Sequence, residues 1–207
     1  MKYFLLLLVS VVLHASVYPS FTYKEAIKIE ENSGKEAVSR IFEYNEIIHS
    51  YKKDASLERL KKINTYLNKL TYKDDILNNK QSDYWATPKE FLTSGTGDCE
   101  DYAIIKYFTL VRLGFNPDNL YITIVYAARL KNYHMVLSYF IKDGEPPLIL
   151  DNINKKILNS TKRNDLIIKT FLNTNGAYTL NNKYKLTKIN KDSKKLKNLF
   201  KRVQLES

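Results

Sequence analysis

The sequence predicts an α+β domain, because helical periodicity dominates its N-terminal half and strand periodicity much of the remainder. Apolar residues recur at helical spacing over residues 35–53 and again after Ser56, whereas alternation with a period of two begins near Leu120. Of the 207 residues, 44% are hydrophobic and only 6 are Gly and 5 Pro, which excludes collagen-like and linker proteins. These features describe one globular domain with a packed core.

The first 15 residues have the pattern of a secretory signal peptide. Lys2 precedes an apolar run that extends from Tyr3 to Leu13 and ends in the small residues Ala15 and Ser16. Because this run is shorter than the roughly 18 residues that a spanning helix needs, an uncleaved membrane anchor is the less favoured alternative. We therefore expect a mature chain that is exported to a compartment such as the bacterial periplasm.

Three helices are predicted before the most informative segment of the chain. The first covers residues 35–53, and the second starts after Ser56, which would be its N-cap. A polar loop through Asp74 follows. Pro88 then favours a short third helix, because proline is well tolerated in a first helical turn.

The next segment places the single cysteine of the chain at the start of a helix. Residues 93–98 form a predicted flexible turn that ends in Asp98, a good N-cap, and an apolar helix covers residues 99–113 until Gly114 stops it. Cys99 therefore lies in the first helical turn. One cysteine excludes an internal disulfide and a Cys-rich zinc site. In an oxidising compartment, such a thiol is buried, paired with another chain or used as a reagent.

Three strands are predicted beyond this helix, at Leu120–Ala127, 133–141 and Leu148–Leu150, and the last two form a hairpin. His134 lies near the start of one hairpin strand and Asp151 follows the other. Antiparallel pairing brings the two positions to about the same level of the sheet. An imidazole and a carboxylate can then meet on one face.

These residues supply a thiol, an imidazole and a carboxylate in the order Cys99, His134, Asp151. A thiol attacks acyl carbons as the thiolate, which a helix N-terminus and an imidazolium partner both favour. His134 would take the thiol proton and later give one to the departing amine, while Asp151 would fix the tautomer of the ring. Backbone N–H groups at the start of the helix could hold the oxyanion.

Three acidic residues, Asp98, Glu100 and Asp101, surround Cys99 with negative charge, which disfavours a thiolate. A bound divalent cation would remove that penalty, and three carboxylates within four residues are plausible oxygen ligands for calcium. Helix capping is the alternative, because an acid in a first turn stabilises a helix by about 0.3 to 1 kcal/mol without any metal. The residues alone leave both explanations open.

Residues 181–207 carry much of the positive charge. They contain nine Lys or Arg and two acids, which gives +7 of the formal +11 of the chain. An exported protein meets little nucleic acid, so no nucleic-acid partner is expected. We expect a solvated basic face, with docking on an acidic protein or a membrane surface as the alternative.

Several separated motifs occur in a specific order. They are Tyr84-Trp-Ala-Thr-Pro88, Glu90-Phe91, Gly95-Thr-Gly-Asp-Cys-Glu-Asp-Tyr-Ala103, Lys106-Tyr107, Leu113-Gly114, His134-Met-Val-Leu137, Leu150-Asp-Asn152 and Arg163-Asn-Asp-Leu166. Together they resemble the bacterial transglutaminase-like cysteine proteinases, the LapG-type periplasmic proteases, over residues 35–175. The resemblance implies a papain-like, transglutaminase-like fold whose N-terminal helices precede a nucleophile helix that packs on an antiparallel sheet. We expect a signal peptide at 1–15, a protease domain at 16–180 and a basic segment at 181–207, which lies outside the resemblance.

The resemblance also implies Cys99 as nucleophile, His134 as base and Asp151 as orienting acid, and it supports calcium at Asp98, Glu100 and Asp101. In this family the substrate is a large cell-surface adhesin that is cut near its N-terminal retention module, and release of the adhesin disperses biofilm. An inner-membrane receptor for cyclic di-GMP commonly sequesters the protease. An acyl-transferring transglutaminase-like enzyme and a non-catalytic envelope binding module with a basic tail remain alternatives. Residues 167–173, at the expected far edge of the substrate groove, depart from the family pattern because they lack its proline.

Overall fold

The structure, a computed structural model, describes residues 18–74, 83–191 and 193–207. The predicted signal peptide at 1–15 lies outside the described residues, as does most of the predicted polar loop after Asp74. Within the described ranges, no helix is both long enough and apolar enough to cross a membrane.

Helices occupy most of the described N-terminal half and include all those that the periodicity predicts, whereas the helix at Tyr23–Ser33 has no counterpart among the predicted helices. They are α1 (Tyr23–Ser33), α2 (Lys35–Tyr51), α3 (Ser56–Leu67), α4 (Pro88–Ser94) and α5 (Cys99–Arg112), and α6 (Lys194–Glu206) follows at the C-terminus. Capping boxes begin α1, α4 and α5. The prediction of Ser56 as an N-cap is wrong by one position. Ala55 already has the extended backbone of an N-cap, so Ser56 is the first helical residue.

The strands form two sheets. Two short strands, β1 (Thr71–Tyr72) and β2 (Thr96–Gly97), pair in parallel. The others are β3 (Leu120–Ala127), β4 (Asn132–Tyr139), β5 (Leu148–Leu150), β6 (Leu158–Asn159), β7 (Leu166–Asn173), β8 (Gly176–Leu180) and β9 (Leu186–Ile189). These seven pair antiparallel in the order β6-β5-β4-β3-β7-β8-β9. The α+β class is therefore confirmed, and the hairpin of β4 and β5 forms as predicted.

The segment before Cys99 is more ordered than the predicted flexible turn at 93–98. Its first two residues complete α4, Gly95 ends that helix with a φ of +71°, and the next two residues form β2. A Cβ atom on Gly97 would lie 2.4 Å from Oδ2 of Asp101. Glycine at this position therefore allows the chain to approach α5 closely.

The main core lies between the helices and the large sheet. Residues 100–110 of α5 are all buried, and this helix packs on β4 and β3. Residues 181–207 belong to the same fold, because β9 pairs with β8 and α6 buries Leu196, Leu199 and Val203 in the core. The expected boundary after Leu180 thus lies between two hydrogen-bonded strands. The lysine side chains of this segment nevertheless remain exposed, as its charge predicts.

Candidate active site

Helix α5 presents Cys99 as its first residue, directly after the N-cap Asp98. The fully buried Asp101 anchors this helix start. Its Oδ1 accepts a hydrogen bond from the Ala86 N–H at 2.8 Å, and its Oδ2 accepts one from the Asp98 N–H at 3.2 Å. Cys99 therefore lies at the positive end of a helix whose first turn is fixed to the preceding segment.

Cys99 and His134 line one open cleft of about 640 Å³. The cleft lies where the start of α5 meets β4, and β3 and β7 complete its floor. Trp85 lines one wall, and residues near the start of α6 line another. The structure thus brings the predicted nucleophile and the predicted base to a single concave site.

The imidazole of His134 and the carboxylate of Asp151 form a buried pair. Nε2 of His134 lies 2.8 Å from Oδ1 of Asp151, and the two side chains are 3% and 1% exposed. The hairpin register explains the contact. Leu137 pairs with Leu150, so continuing the register places Asp151 opposite Val136, two residues from His134 on the same face. Because Nε2 is engaged, Nδ1 is the ring nitrogen left to take a thiol proton.

Arg163 binds the second oxygen of Asp151. Its Nη2 donates to Oδ2 of Asp151 at 2.7 Å, and the same guanidinium binds Asp165 through contacts of 2.8 and 2.9 Å. Burial alone would raise the pKa of Asp151. Contacts with His134, Ile153 and Arg163 outweigh burial and hold that pKa well below its usual range. Asp151 is therefore a carboxylate throughout the neutral pH range.

The surroundings of Cys99 do not by themselves favour a thiolate. Burial raises the pKa of the thiol most, followed by the negative charge and hydrogen bond of Glu100 and by the charge of Asp98. The Met135 backbone amide acts in the opposite direction. Sγ of Cys99 lies 3.2 Å from Oε2 of Glu100. The like-charge penalty that the sequence predicts is therefore present in the structure.

Asp98, Cys99 and Glu100 each place one potential ligand atom within 4.8 Å of the others. The two carboxylates suit a hard cation such as calcium, and the thiol does not. Asp101, the third predicted ligand, is not brought into this group. Its oxygens accept the backbone N–H groups of Ala86 and Asp98. The donor chemistry thus fits calcium at Asp98 and Glu100.

Comparison with known proteins identifies the family. The sequence model of the bacterial transglutaminase-like cysteine proteinases (BTLCP) matches residues 39–190. The chain belongs to this family. The proteinase fold therefore includes β9, whereas the motif resemblance ends at 175. Family membership supports a cysteine protease, and Cys99 is the single cysteine of the chain.

Solved structures of Legionella pneumophila LapG are similar to this proteinase. The calcium-bound form is 34% identical, has a TM-score of 0.75, and the match covers 88% of this chain and 99% of that one. The EGTA-treated form has the same identity and TM-score, with 89% and 99% covered. A third LapG structure is 33% identical with a TM-score of 0.73, again with 89% and 99% covered. No curated protein sequence matches the chain significantly.

The proteinase differs from the family pattern at residues 167–173, which lack a proline, yet this stretch forms most of β7. Strand β7 lies between β3 and β8, where a proline would remove a hydrogen bond of the ladder. Thr170 and Leu172 of β7 line the cleft. The stretch that differs from the family pattern therefore forms part of the lining of the cleft.

Two residues without a predicted role support Asp151 from the helices. Nδ2 of Asn68, just after α3, donates to the carbonyl oxygen of Asp151 at 2.8 Å. Lys106 of α5 is fully buried, and burial lowers the pKa of Lys106 to about 7, while the charge of Asp151 opposes this shift. Asn68 and Arg163 thus form hydrogen bonds with Asp151 from two parts of the chain, whereas Lys106 acts on it through charge alone. Of these three residues, only Lys106 and Arg163 occur in motifs that carry the family resemblance, so only these two could have been singled out from the sequence.

Proposed function

We propose that this chain is a calcium-dependent cysteine endopeptidase with Cys99 as nucleophile, His134 as general base and Asp151 as the residue that orients His134. The observation that carries the proposal is the buried pair of His134 and Asp151, in a cleft that Cys99 lines from a helix N-terminus. This arrangement contains each group that covalent acyl chemistry needs.

The proposed reaction begins when Nδ1 of His134 takes the proton of Cys99. The thiolate attacks the carbonyl carbon of the scissile peptide bond, and backbone N–H groups at the start of α5 stabilise the oxyanion. His134 then gives its proton to the departing amine as the carbon–nitrogen bond breaks, leaving a thioester on Cys99. Water hydrolyses the thioester with His134 again acting as base, which restores the thiol.

Calcium would be held by Asp98 and Glu100, whose oxygens lie close together at the start of α5. When bound, the cation offsets the negative charge beside Cys99 and so lowers the pKa of the thiol. The similar LapG chain has a calcium-bound form and an EGTA-treated form, which supports the same dependence here. Asp101 then has a positioning role, because it anchors the first turn of α5 to Ala86.

The proposed substrate is a large cell-surface adhesin, cut near its N-terminal retention module so that the adhesin is released and biofilm attachment is controlled. The proposed compartment is the periplasm, and the proposed regulator is an inner-membrane receptor for cyclic di-GMP that sequesters the protease. Family membership and the apolar pattern of residues 1–15 support these assignments.

Product mass tests the proposed reaction. Incubation of the purified mature chain with an adhesin N-terminal fragment, calcium and a primary amine is expected to give two pieces. Their masses should sum to that of the substrate plus one water, because hydrolysis resolves the thioester. A crosslinked or amine-tagged product, cut or uncut, would instead support the alternative acyl-transferring enzyme. An adhesin fragment whose mass stays unchanged with calcium and amine present would contradict both.

Removal of calcium is expected to lower both cleavage and the melting temperature, and added calcium should restore both. A ligand that binds only the folded state stabilises it, by about 2.7 kcal/mol at a hundredfold excess over Kd. The double variant Asp98→Asn and Glu100→Gln should lose this calcium-dependent shift in a thermal melt. Asparagine is also a good N-cap, so α5 keeps its start.

Asp101→Asn is the matched control for the calcium experiment. It should lower the melting temperature, because Asp101 accepts two backbone hydrogen bonds, but it should retain the shift that calcium produces. Full cleavage activity in excess EGTA would contradict the calcium proposal.

A further inference from the structure

The C-terminal segment carries many exposed positive charges that are closely spaced in sequence, which we term the basic strip. Its members are Lys183, Lys185, Lys188, Lys191, Lys194, Lys195, Lys197 and Lys201, all of which are exposed. Over residues 183–201 the sequence contains one acid, Asp192. The strip therefore adds a strong local positive potential to this side of the protein.

The basic strip begins at the wall of the active-site cleft. Lys191, Ser193 and Lys195 line the cleft together with Cys99 and His134. Lys195 also pairs with Asp83, which lines the same cleft, and contacts both its side chain and its carbonyl oxygen. Of the other members, Lys188 lies on β9, and Lys194, Lys197 and Lys201 lie on α6. The strip therefore includes residues of the cleft lining and residues of the two elements next to it.

The charges on α6 are not placed to stabilise that helix. Lys194 and Lys195 occupy its first turn and Glu206 its last, although the helix dipole favours the opposite arrangement. Lysine on an edge strand can prevent edge-to-edge association, which would account for Lys188 on β9. That explanation does not extend to Lys191 or Lys194, which lie outside the strand. Neither residue forms an ion pair with another residue that the structure describes.

We propose that the basic strip is an exosite that binds an acidic segment of the substrate polypeptide next to the bond that is cut. Its position at the cleft wall favours the substrate over a separate partner, and its charge selects acidic side chains. The identity of the partner as the substrate rests on the proposed function. The strip itself is defined by charge and position alone, so its binding can be measured without any hydrolysis.

Binding is tested with poly-L-glutamate as the probe and with Cys99→Ala as the background, so that no cleavage interferes. Replacing Lys188, Lys191 and Lys194 with glutamine should weaken binding about 10-fold, mainly through a slower association rate. Binding to the unsubstituted strip should also weaken as salt is raised. The matched control replaces the exposed Lys52, Lys53 and Lys61 with glutamine and should bind as the parent does.

Cleavage provides the second readout. The active enzyme should prefer a peptide with acidic residues beside the cut site over a peptide with neutral ones, and the triple variant should reduce that preference about 10-fold. Equal binding of poly-L-glutamate by the triple variant and the control would overturn the proposal. Tighter binding to phosphatidylglycerol vesicles than to poly-L-glutamate would also overturn it, in favour of a membrane surface. Salt-dependent binding at the strip without any proteolysis would instead refute the proposed function and leave the basic strip as an anion-binding surface.

Discussion

Cys99→Ala is expected to abolish proteolysis, with kcat/KM falling by roughly 10⁴-fold or more, because no other group in the cleft can form the thioester. Cys99 is the single cysteine of the chain, so no second thiol can substitute. The measurement is cleavage of the adhesin fragment under single-turnover conditions in calcium. Cys99→Ser keeps nearly the same shape and should lose almost as much activity, since a hydroxyl is the poorer nucleophile beside the same base.

His134→Ala provides the companion control, because it leaves the thiol in place. Alkylation of Cys99 at neutral pH should become slower in this variant, since the imidazole that takes the proton is gone. An unchanged alkylation rate would show that His134 does not activate the thiol of Cys99. His134 and Asp151 would then form a structural pair without a catalytic role.

The non-catalytic alternative, an envelope binding module with a basic tail, makes the opposite prediction for Cys99→Ala. Cells carrying this variant would then keep their normal adhesin release. Truncation of residues 181–207 is a poor test of that alternative, because it would remove β9 and the buried Leu199 of α6. Neutralising the exposed lysines of the basic strip tests the role of the charge while leaving the fold intact.

Local sequence patterns predict those parts of the site that depend on local geometry. Cys99 follows an N-cap, so its position at a helix start can be inferred from neighbouring residues alone. His134 and Asp151 lie on two strands of one hairpin, whose register follows from alternation and the turn between them. These contacts span 17 residues at most, and the intervening chain is regular.

The remaining contacts depend on packing that local patterns do not encode. Asp101 has the spacing of a metal ligand, and its carboxylate also accepts a hydrogen bond from the N–H of Ala86, 15 residues earlier in the chain, which that spacing does not indicate. The buried residues of α6 recur at helical spacing, but the site on which this apolar face docks is set by residues far away in sequence. Glu206 illustrates this, because it accepts hydrogen bonds from Tyr18 and Thr87. Such long-range partners become visible only once the elements are assembled.

Arg163→Met is expected to destabilise the fold by about 3–5 kcal/mol, because it leaves the buried carboxylate of Asp151 without its cationic partner. The guanidinium is almost fully buried and binds Asp151 and Asp165 together. Urea unfolding at neutral pH measures the loss of stability. Cleavage activity should also fall at temperatures where the variant is still folded, because Asp151 no longer holds His134 in a fixed orientation.

The pH dependence of this variant separates an electrostatic role of Arg163 from simple packing. In the parent, the pKa of Asp151 lies below its unfolded value, so its contribution to stability is present above that value and is lost as pH falls through the folded pKa. Removing Arg163 raises the folded pKa towards the unfolded value, so the acid-dependent loss of stability should be smaller and should be complete at a higher pH.

Asp165→Asn is the matched control, because it leaves the contact between Arg163 and Asp151 and removes only a partner that is 30% exposed. Its effect should stay near 1 kcal/mol. Equal destabilisation of both variants at every pH would assign Arg163 to packing alone, and the orientation of His134 would then depend on the backbone of β4 and β5.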